Sequence, residues 1–170
     1  VKLIHALAKI ANGYGIGRDI HIGDTIIGIK GRVGFEAAAP LMIIKAHHLL
    51  EKHVLVKEQL YWKELIANYY GQLMHEAQYL NPVMRDMEKF LESTQGSVNG
   101  TVEVLLRPYN FFVLGCKSQY DLMSSKFGEY GEMNKSYTGR DVVGFTKVLS
   151  NPLKIYYSLH EDEKEQASKN

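Results

Sequence analysis

The stretch Gly13–Pro40 reads GYGIGRDIHIGDTIIGIKGRVGFEAAAP and decides how the first part of the chain folds. It contains seven glycines, and the segments between them are rich in isoleucine, which favours strands. Gly23-Asp24 separates two such segments, and glycine readily adopts the positive φ that two-residue hairpin turns require. The sequence therefore predicts a hairpin that turns at Gly23-Asp24, with strands Asp19–Ile22 and Thr25–Lys30.

Three glycines, Gly13, Gly15 and Gly17, precede this hairpin and follow an apolar run with helical spacing. In a dinucleotide-binding fingerprint the glycines lie between a strand and a helix, which is the opposite order. We therefore predict that these glycines end a helix over Val1–Asn12 and turn the chain.

The remaining sequence predicts more helices and one further hairpin. Helical periodicity and capping signals place the helices at Ala37–His53, Lys57–Gln78, Pro82–Gly96 and Tyr120–Phe127, and a last one from Gly144-Phe145 with a kink or restart at Asn151-Pro152. Strand-forming residues predict a short strand at Val54–Val56 and a hairpin of Thr101–Leu106 with Phe111–Cys116. Gly128–Arg140 is predicted as a loop. The pattern predicts an α+β fold in which helices pack on antiparallel hairpins, with a helical arm at the C-terminus.

The 170 residues have a mass of 19.3 kDa and a net charge of +1, which suits one globular domain. We expect a single domain over 1–160 and a solvated tail over 161–170. Basic residues do not cluster and no apolar run reaches membrane-spanning length, so we expect neither nucleic acid nor a membrane as partner. The single cysteine, Cys116, favours a reducing, cytoplasmic location. Because the chain begins at Val1 inside a helical pattern, we expect it to be a piece of a longer protein.

Several side chains could belong to functional sites but have simpler explanations. His47, His48 and His53 lie close together, yet only His47 and Glu51 share a helix face, so packing or surface roles are favoured over a metal site. The tyrosine-rich segment from Tyr61 to Tyr70 is expected in the core or at a subunit interface. The cations of the first hairpin, Arg18, Lys30 and Arg32, either form a positive patch, or are solvated or pair with Asp19, Asp24 and Glu36; the sequence leaves both alternatives open.

The ordered motifs of the opening stretch resemble the C-terminal part of argininosuccinate synthase. That family has a G-[VI]-G-R motif, followed at matching distance by I-G-x-K-x-R and by a tyrosine-glutamate pair. Here the corresponding residues are Gly15-Ile16-Gly17-Arg18, Ile27-Gly28-Ile29-Lys30 with Arg32, and Glu36, with Ala46-His47 further on. The resemblance covers nearly all 170 residues in element order, but only Gly15–Glu36 is specific.

The resemblance implies a ligase of arginine biosynthesis that joins citrulline to aspartate to give argininosuccinate, AMP and pyrophosphate. In that family the N-terminal half carries an S-G-G-x-D-T-S pyrophosphate loop and most substrate contacts, so ATP and its Mg are expected to bind mainly there. No catalytic residue is expected in this chain, and the chain alone is expected to be inactive. The resemblance also implies a homotetramer in which the last helix reaches a neighbouring subunit. The alternative is a non-catalytic oligomerisation or ligand-binding module, which would lack that loop upstream of Val1.

Two family positions that contact citrulline, usually a glutamate and a tyrosine, are occupied here by Gly23 and Phe35. One hypothesis is that Gly23 only serves the turn and that other groups hold the substrate. The other is that the substrate is an N-acylated citrulline, N-succinyl or N-acetyl, because a neutral acylated amine would leave a buried carboxylate unpaired. Under the second hypothesis, Arg18, Lys30 or Arg32 would bind the carboxylate that the acyl group adds. The supporting residues are then Arg18, Lys30, Arg32 and Glu36.

Overall fold

The structure, a computed structural model, describes residues 1–123 and 136–167. The chain divides into two compact units, Val1–Met123 and Ser124–Asn170, which are described separately. In the first unit the order of elements is α1 (Lys2–Asn12), β1 (Arg18–Asp24), β2 (Lys30–Glu36), α2 (Ala38–Val54), α3 (Lys57–His75), α4 (Pro82–Thr94), β3 (Thr101–Arg107) and β4 (Asn110–Lys117). The strands form two separate antiparallel hairpins, β1–β2 and β3–β4. The predicted α+β fold is confirmed.

The first hairpin exists, but its predicted turn and second strand are wrong. The ladder runs from the pair Arg18↔Glu36 to the pair Asp24↔Lys30, so the turn is the segment Thr25–Ile29. Gly28 has a φ of +77°, and the Thr25 hydroxyl donates to the Ile29 carbonyl at 2.7 Å and accepts from the Ile29 N–H at 3.2 Å. These two hydrogen bonds close the turn that contains Ile26, Ile27 and Ile29. Gly23 lies inside β1 without a positive φ.

The core of the first unit lies where α1, α2 and the second hairpin meet. The buried residues Ala11, Ile16, Ala38, Met42 and Phe111 form one cluster. Two glycines allow close packing beside it. A Cβ at Gly17 would lie 2.5 Å from the Ala38 nitrogen, and one at Gly15 would lie 3.0 Å from the Tyr109 ring. The glycines that end α1 therefore also bring the first hairpin against α2.

A buried carboxylate connects α2, α3 and the end of α4. Glu51 is fully buried, and it accepts hydrogen bonds from Lys63 at 2.6 Å and Gln95 at 2.9 Å. A buried charge is tolerated when it is paired and hydrogen-bonded, as it is here. Asn81 accepts from the Val83 N–H and Pro82 occupies the first turn of α4, which confirms the predicted start of that helix.

Two other predictions for the first unit are wrong, one of them over the part of it that the structure describes. Val54 is the last residue of α2 and Leu55 is an extended connection to α3. Among the described residues, no strand lies alongside to pair with Val54–Val56. Tyr120–Met123 form turns and not the start of a helix, since the Asp121 side chain accepts from the Met123 N–H at 2.9 Å. The rest of the predicted helix Tyr120–Phe127, and the predicted loop up to residue 135, lie outside the described residues.

The second unit contains α5 (Gly139–Leu149) and α6 (Asn151–Ala167) within its described part. The sequence placed the first of these helices five residues too late, at Gly144. Thr138 begins it instead, because its N–H and hydroxyl both donate to the Asp141 carboxylate, at 2.8 and 2.7 Å. Asn151 is a restart and not a kink, since α5 ends before it. The helical backbone of α6 continues past Glu161, where the tail was predicted. Over the described ranges no helix has the length and apolarity to cross a bilayer.

Candidate functional site

The first hairpin presents two faces, because directly opposed residues project to the same side and successive residues alternate. We call one the Gly23 face; it comprises Asp19, His21, Gly23, Gly31, Val33 and Phe35. We call the other the Arg32 face; it comprises Arg18, Ile20, Ile22, Asp24, Lys30, Arg32, Gly34 and Glu36. The two residues at the predicted citrulline positions, Gly23 and Phe35, therefore share one face. They lie at opposite ends of it, roughly 13 Å apart along the strands.

The imidazole of His21 covers Gly23. A Cβ built on Gly23 would lie 2.6 Å from Nε2 of His21 and 3.3 Å from its Cδ2. Because residues two apart on a strand project to the same side, the His21 ring leans along β1 into the volume that a side chain at position 23 would fill. Gly31, directly opposite, adds no side chain to this patch. The absence of a side chain at Gly23 thus provides the space for His21.

The Arg32 face carries the cations that were predicted as supporting residues. Arg18 pairs with Glu36 at 2.5 Å, and Lys30 pairs with Asp24 at 2.6 Å. The ion-pair alternative is therefore the correct one for these two cations, and all four side chains are largely exposed. None of these residues is on the Gly23 face, so the structure does not bring Arg18, Lys30, Arg32 or Glu36 beside Gly23.

Phe35 lines an open depression at the base of the hairpin, next to the start of α2. The depression has a volume of about 660 Å³ and is lined by Arg18, Asp19, Ile20, Gly34, Phe35 and Glu36. Phe35 is half-buried and stands opposite Asp19. The carboxylate of Asp19 accepts a hydrogen bond from the neighbouring Ile20 N–H at 2.7 Å. An apolar ring and a carboxylate therefore flank this end of the Gly23 face.

The histidines singled out in the sequence pair with carboxylates. His47 lies 3.6 Å from Glu51, His48 lies 3.5 Å from Glu64, and His53 lies 3.1 Å from Asp121. Across residues 1–123 and 136–160, no group of three or more histidine, cysteine, aspartate or glutamate side chains is arranged to hold a metal ion. The glycines before β1 pack against Tyr109 and Ala38, which leaves no open cradle for a phosphate at Gly15 and Gly17.

Two titratable groups near the end of β4 have shifted pKa values. Hydrogen bonds from the Met123 N–H and from His53 lower the pKa of Asp121, with the backbone bond the larger cause. Burial, and then the charge of Asp121, raise the pKa of the Cys116 thiol. A raised pKa disfavours the reactive thiolate form of Cys116.

The predicted aromatic segment is not in the core of this unit. Tyr61, Trp62 and Tyr69 are each at least half exposed, and Tyr70 is half-buried and donates to Glu88 at 2.9 Å. Sequence reasoning missed His21, the residue closest to the Gly23 position. A signal was available: once the turn is placed at Thr25–Ile29, the alternation of β1 puts His21 and Gly23 on the same side.

Comparison with known proteins identifies relatives for nearly the whole chain. Residues 1–156 match the family model described as the Arginosuccinate synthase C-terminal domain. Argininosuccinate synthase from Dictyoglomus thermophilum is 34% identical over 149 residues, which cover 88% of this chain and 37% of that protein. The synthase from Dictyoglomus turgidum is 36% identical over the same length, and that from Halalkalibacterium halodurans is 32% identical over 168 residues, covering 99% of this chain and 41% of the relative. The chain thus spans about two-fifths of the length of these curated relatives.

Proposed function

The chain belongs to the argininosuccinate synthase family as its C-terminal domain, and from this we propose that it is part of an ATP-dependent ligase of arginine biosynthesis. The ligase joins citrulline, or an N-acylated citrulline, to aspartate and releases AMP and pyrophosphate. The observation that carries the proposal is the family match over residues 1–156, which includes the whole β1–β2 hairpin.

In this proposal the Gly23 face forms one wall of the citrulline site. A nucleotide-binding half with the S-G-G-x-D-T-S loop supplies the ATP site and its Mg, as the family resemblance implies. There the ureido oxygen displaces pyrophosphate from ATP, and the aspartate amine then displaces AMP. The residues of this chain bind and orient citrulline or its N-acylated form, and the chain alone does not catalyse the reaction.

The N-acylated substrate is favoured over free citrulline by the position of Gly23. The competing explanation was that a glycine is needed for the turn, but the turn is at Thr25–Ile29 and Gly23 has no positive φ. A free α-ammonium would find no carboxylate at position 23 and no hydroxyl at Phe35, and the carboxylate that this face does carry, Asp19, lies at the other end of it, opposite Phe35. An acylated amine is neutral and does not need that carboxylate.

The exposed apolar residues of α5 and α6 support a proposed homotetramer. Phe145, Val148, Leu149, Leu153 and Ile155 are each more than 60% exposed within their unit. Apolar side chains recurring at this density on a helix mark an interaction surface. We also propose a cytoplasmic location, which the single cysteine favours. The same surface favours the second candidate function, a non-catalytic oligomerisation module.

The test is a steady-state assay of the full-length protein that carries this chain. Pyrophosphate release is followed with ATP, aspartate and either citrulline or N-succinylcitrulline, and omission of aspartate serves as the control for uncoupled hydrolysis. The proposal predicts aspartate-dependent turnover for the full-length protein and none for the 170-residue chain. No turnover with either substrate would favour the oligomerisation module.

A further inference from the structure

We propose that His21 is a specificity-determining residue that binds a carboxylate on the N-acyl group of the substrate, so that the substrate class is citrulline acylated by a dicarboxylic acid. This inference rests on the proposed function, because it assumes that the Gly23 face is the citrulline wall. It adds a residue that the family positions do not include, and it replaces the cations of the Arg32 face as partners of the added carboxylate.

The first step is the place of the imidazole. Nε2 of His21 lies next to the point where the side chain of residue 23 would begin, 2.6 Å from the Cβ position. Any larger residue at position 23 would have to displace the ring. Gly23 and His21 therefore act as a pair: the glycine removes a side chain, and the histidine puts a nitrogen in its place.

Second, the charge of the Gly23 face also bears on which ligand can bind there. Of its six residues, His21 is the one with a basic side chain, because Lys30, Arg32 and Arg18 belong to the opposite face. Asp19 is two residues away, and one of its oxygens is already bonded to the Ile20 N–H. Within the described ranges no hydrogen bond engages the exposed His21 ring, so its ring nitrogens are available to a ligand.

The third step is the chemistry that this arrangement selects. An imidazole N–H donates to a carboxylate, whereas an ammonium, which is itself a donor, could use only an unprotonated ring nitrogen as acceptor. A succinyl group carries a carboxylate, an acetyl group carries none, and free citrulline has an ammonium at the same nitrogen. His21 should therefore favour succinyl over acetyl substrates. For one hydrogen bond to a charged group we expect a preference of about 10- to 100-fold in kcat/KM.

The experiment measures kcat/KM of the full-length protein with N-succinylcitrulline, N-acetylcitrulline and citrulline. His21→Leu removes the donor, and His5→Leu on the exposed side of α1 is the matched control. Gly23→Ala is a second variant that keeps the imidazole but forces it to move. We expect His21→Leu and Gly23→Ala to lower kcat/KM about 10-fold or more for the succinyl substrate, mainly through KM, with little change for the acetyl substrate.

The outcomes separate this inference from the proposed function. If the wild type turns over citrulline best, or if His21→Leu affects the succinyl and acetyl substrates equally, the inference is overturned and the ligase stands. If the wild type releases no pyrophosphate with any of the three substrates, the ligase itself is overturned. A selective loss on the succinyl substrate, with His5→Leu unchanged, supports the inference.

Discussion

The backbone N–H of Ala37 donates a hydrogen bond to the carbonyl oxygen of Gly17 at 2.8 Å. This bond extends the β1–β2 ladder by one pair at the base of the hairpin, where the chain enters α2. Gly17 has a φ of +87°, and its missing side chain allows the Ala38 backbone to approach it. The orientation of the Gly23 face relative to α2 therefore depends on one glycine outside that face.

Gly17→Ala should be strongly destabilising. The new Cβ would meet the Ala38 nitrogen at 2.5 Å in a conformation that disfavours side chains, and we expect a loss of about 2–5 kcal/mol in the free energy of unfolding. Urea unfolding measures it. Gly34→Ala is the control, since a Cβ there enters open space without a positive φ. Equal losses in both variants would show that close packing at Gly17 does not hold the hairpin.

Lys63→Met should destabilise the protein because it leaves the Glu51 carboxylate buried without its cation. Removing one partner of a buried ion pair costs about 3–5 kcal/mol, which urea unfolding again resolves. Lys89→Met on the exposed side of α4 should change the stability by less than about 0.5 kcal/mol. A small effect at Lys63 would mean that Gln95 alone satisfies Glu51.

Asp121 should titrate below the ordinary aspartate value of 3.8, as followed by carboxyl-carbon NMR. Because its pKa is lower in the folded state than in the unfolded state, its stabilising contribution is present above pH 3.8 and is lost as the pH falls through the folded-state pKa. His53→Leu removes the second cause, so the pKa of Asp121 should rise but stay below 3.8, since the Met123 N–H still donates.

Asp141 is an internal control for that titration. Hydrogen bonds from the Thr138 side chain and backbone lower its pKa, and His53 has no part in them. The pKa of Asp141 should therefore be unchanged by His53→Leu. An unchanged pKa of Asp121 in the same variant would contradict the role assigned to His53.

Phe145→Glu should weaken the proposed assembly of the full-length protein. A carboxylate at a desolvated subunit interface would be buried without a partner. Multi-angle light scattering should then show a smaller species than the wild type. Lys147→Glu, two residues along α5, introduces a carboxylate on the side of the helix opposite Phe145 and should keep the wild-type mass. Identical masses for all three proteins would contradict an interface at Phe145.

Some local signals were interpreted correctly from the sequence, whereas the Thr138–Asp141 bonds at the start of α5 and the turn Thr25–Ile29 were missed. Asn81-Pro82 marked the start of α4 because a cap and its N–H partner lie within two residues. The hairpin turn was misplaced because the strand preference of three isoleucines outweighed the closure of the loop by Thr25 and Gly28, which depends on backbone geometry. Residue propensities alone do not predict the backbone geometry of this turn.

The candidate site was likewise predicted only in part. The family positions Gly23 and Phe35 could be found by matching motifs in order. That they share a face with His21, and that Arg18 and Lys30 point away in ion pairs, depended on a register that the misplaced turn had shifted. The buried Glu51 was also invisible, because its partners Lys63 and Gln95 are 12 and 44 residues away in the chain.

The most direct test of the account is a crystal structure of the full-length protein with N-succinylcitrulline bound. We predict that the substrate lies against the Gly23 face, with its acyl carboxylate within hydrogen-bond distance of His21 and its chain towards Phe35. Substrate bound against the Arg32 face, or away from the β1–β2 hairpin, would contradict the assignment.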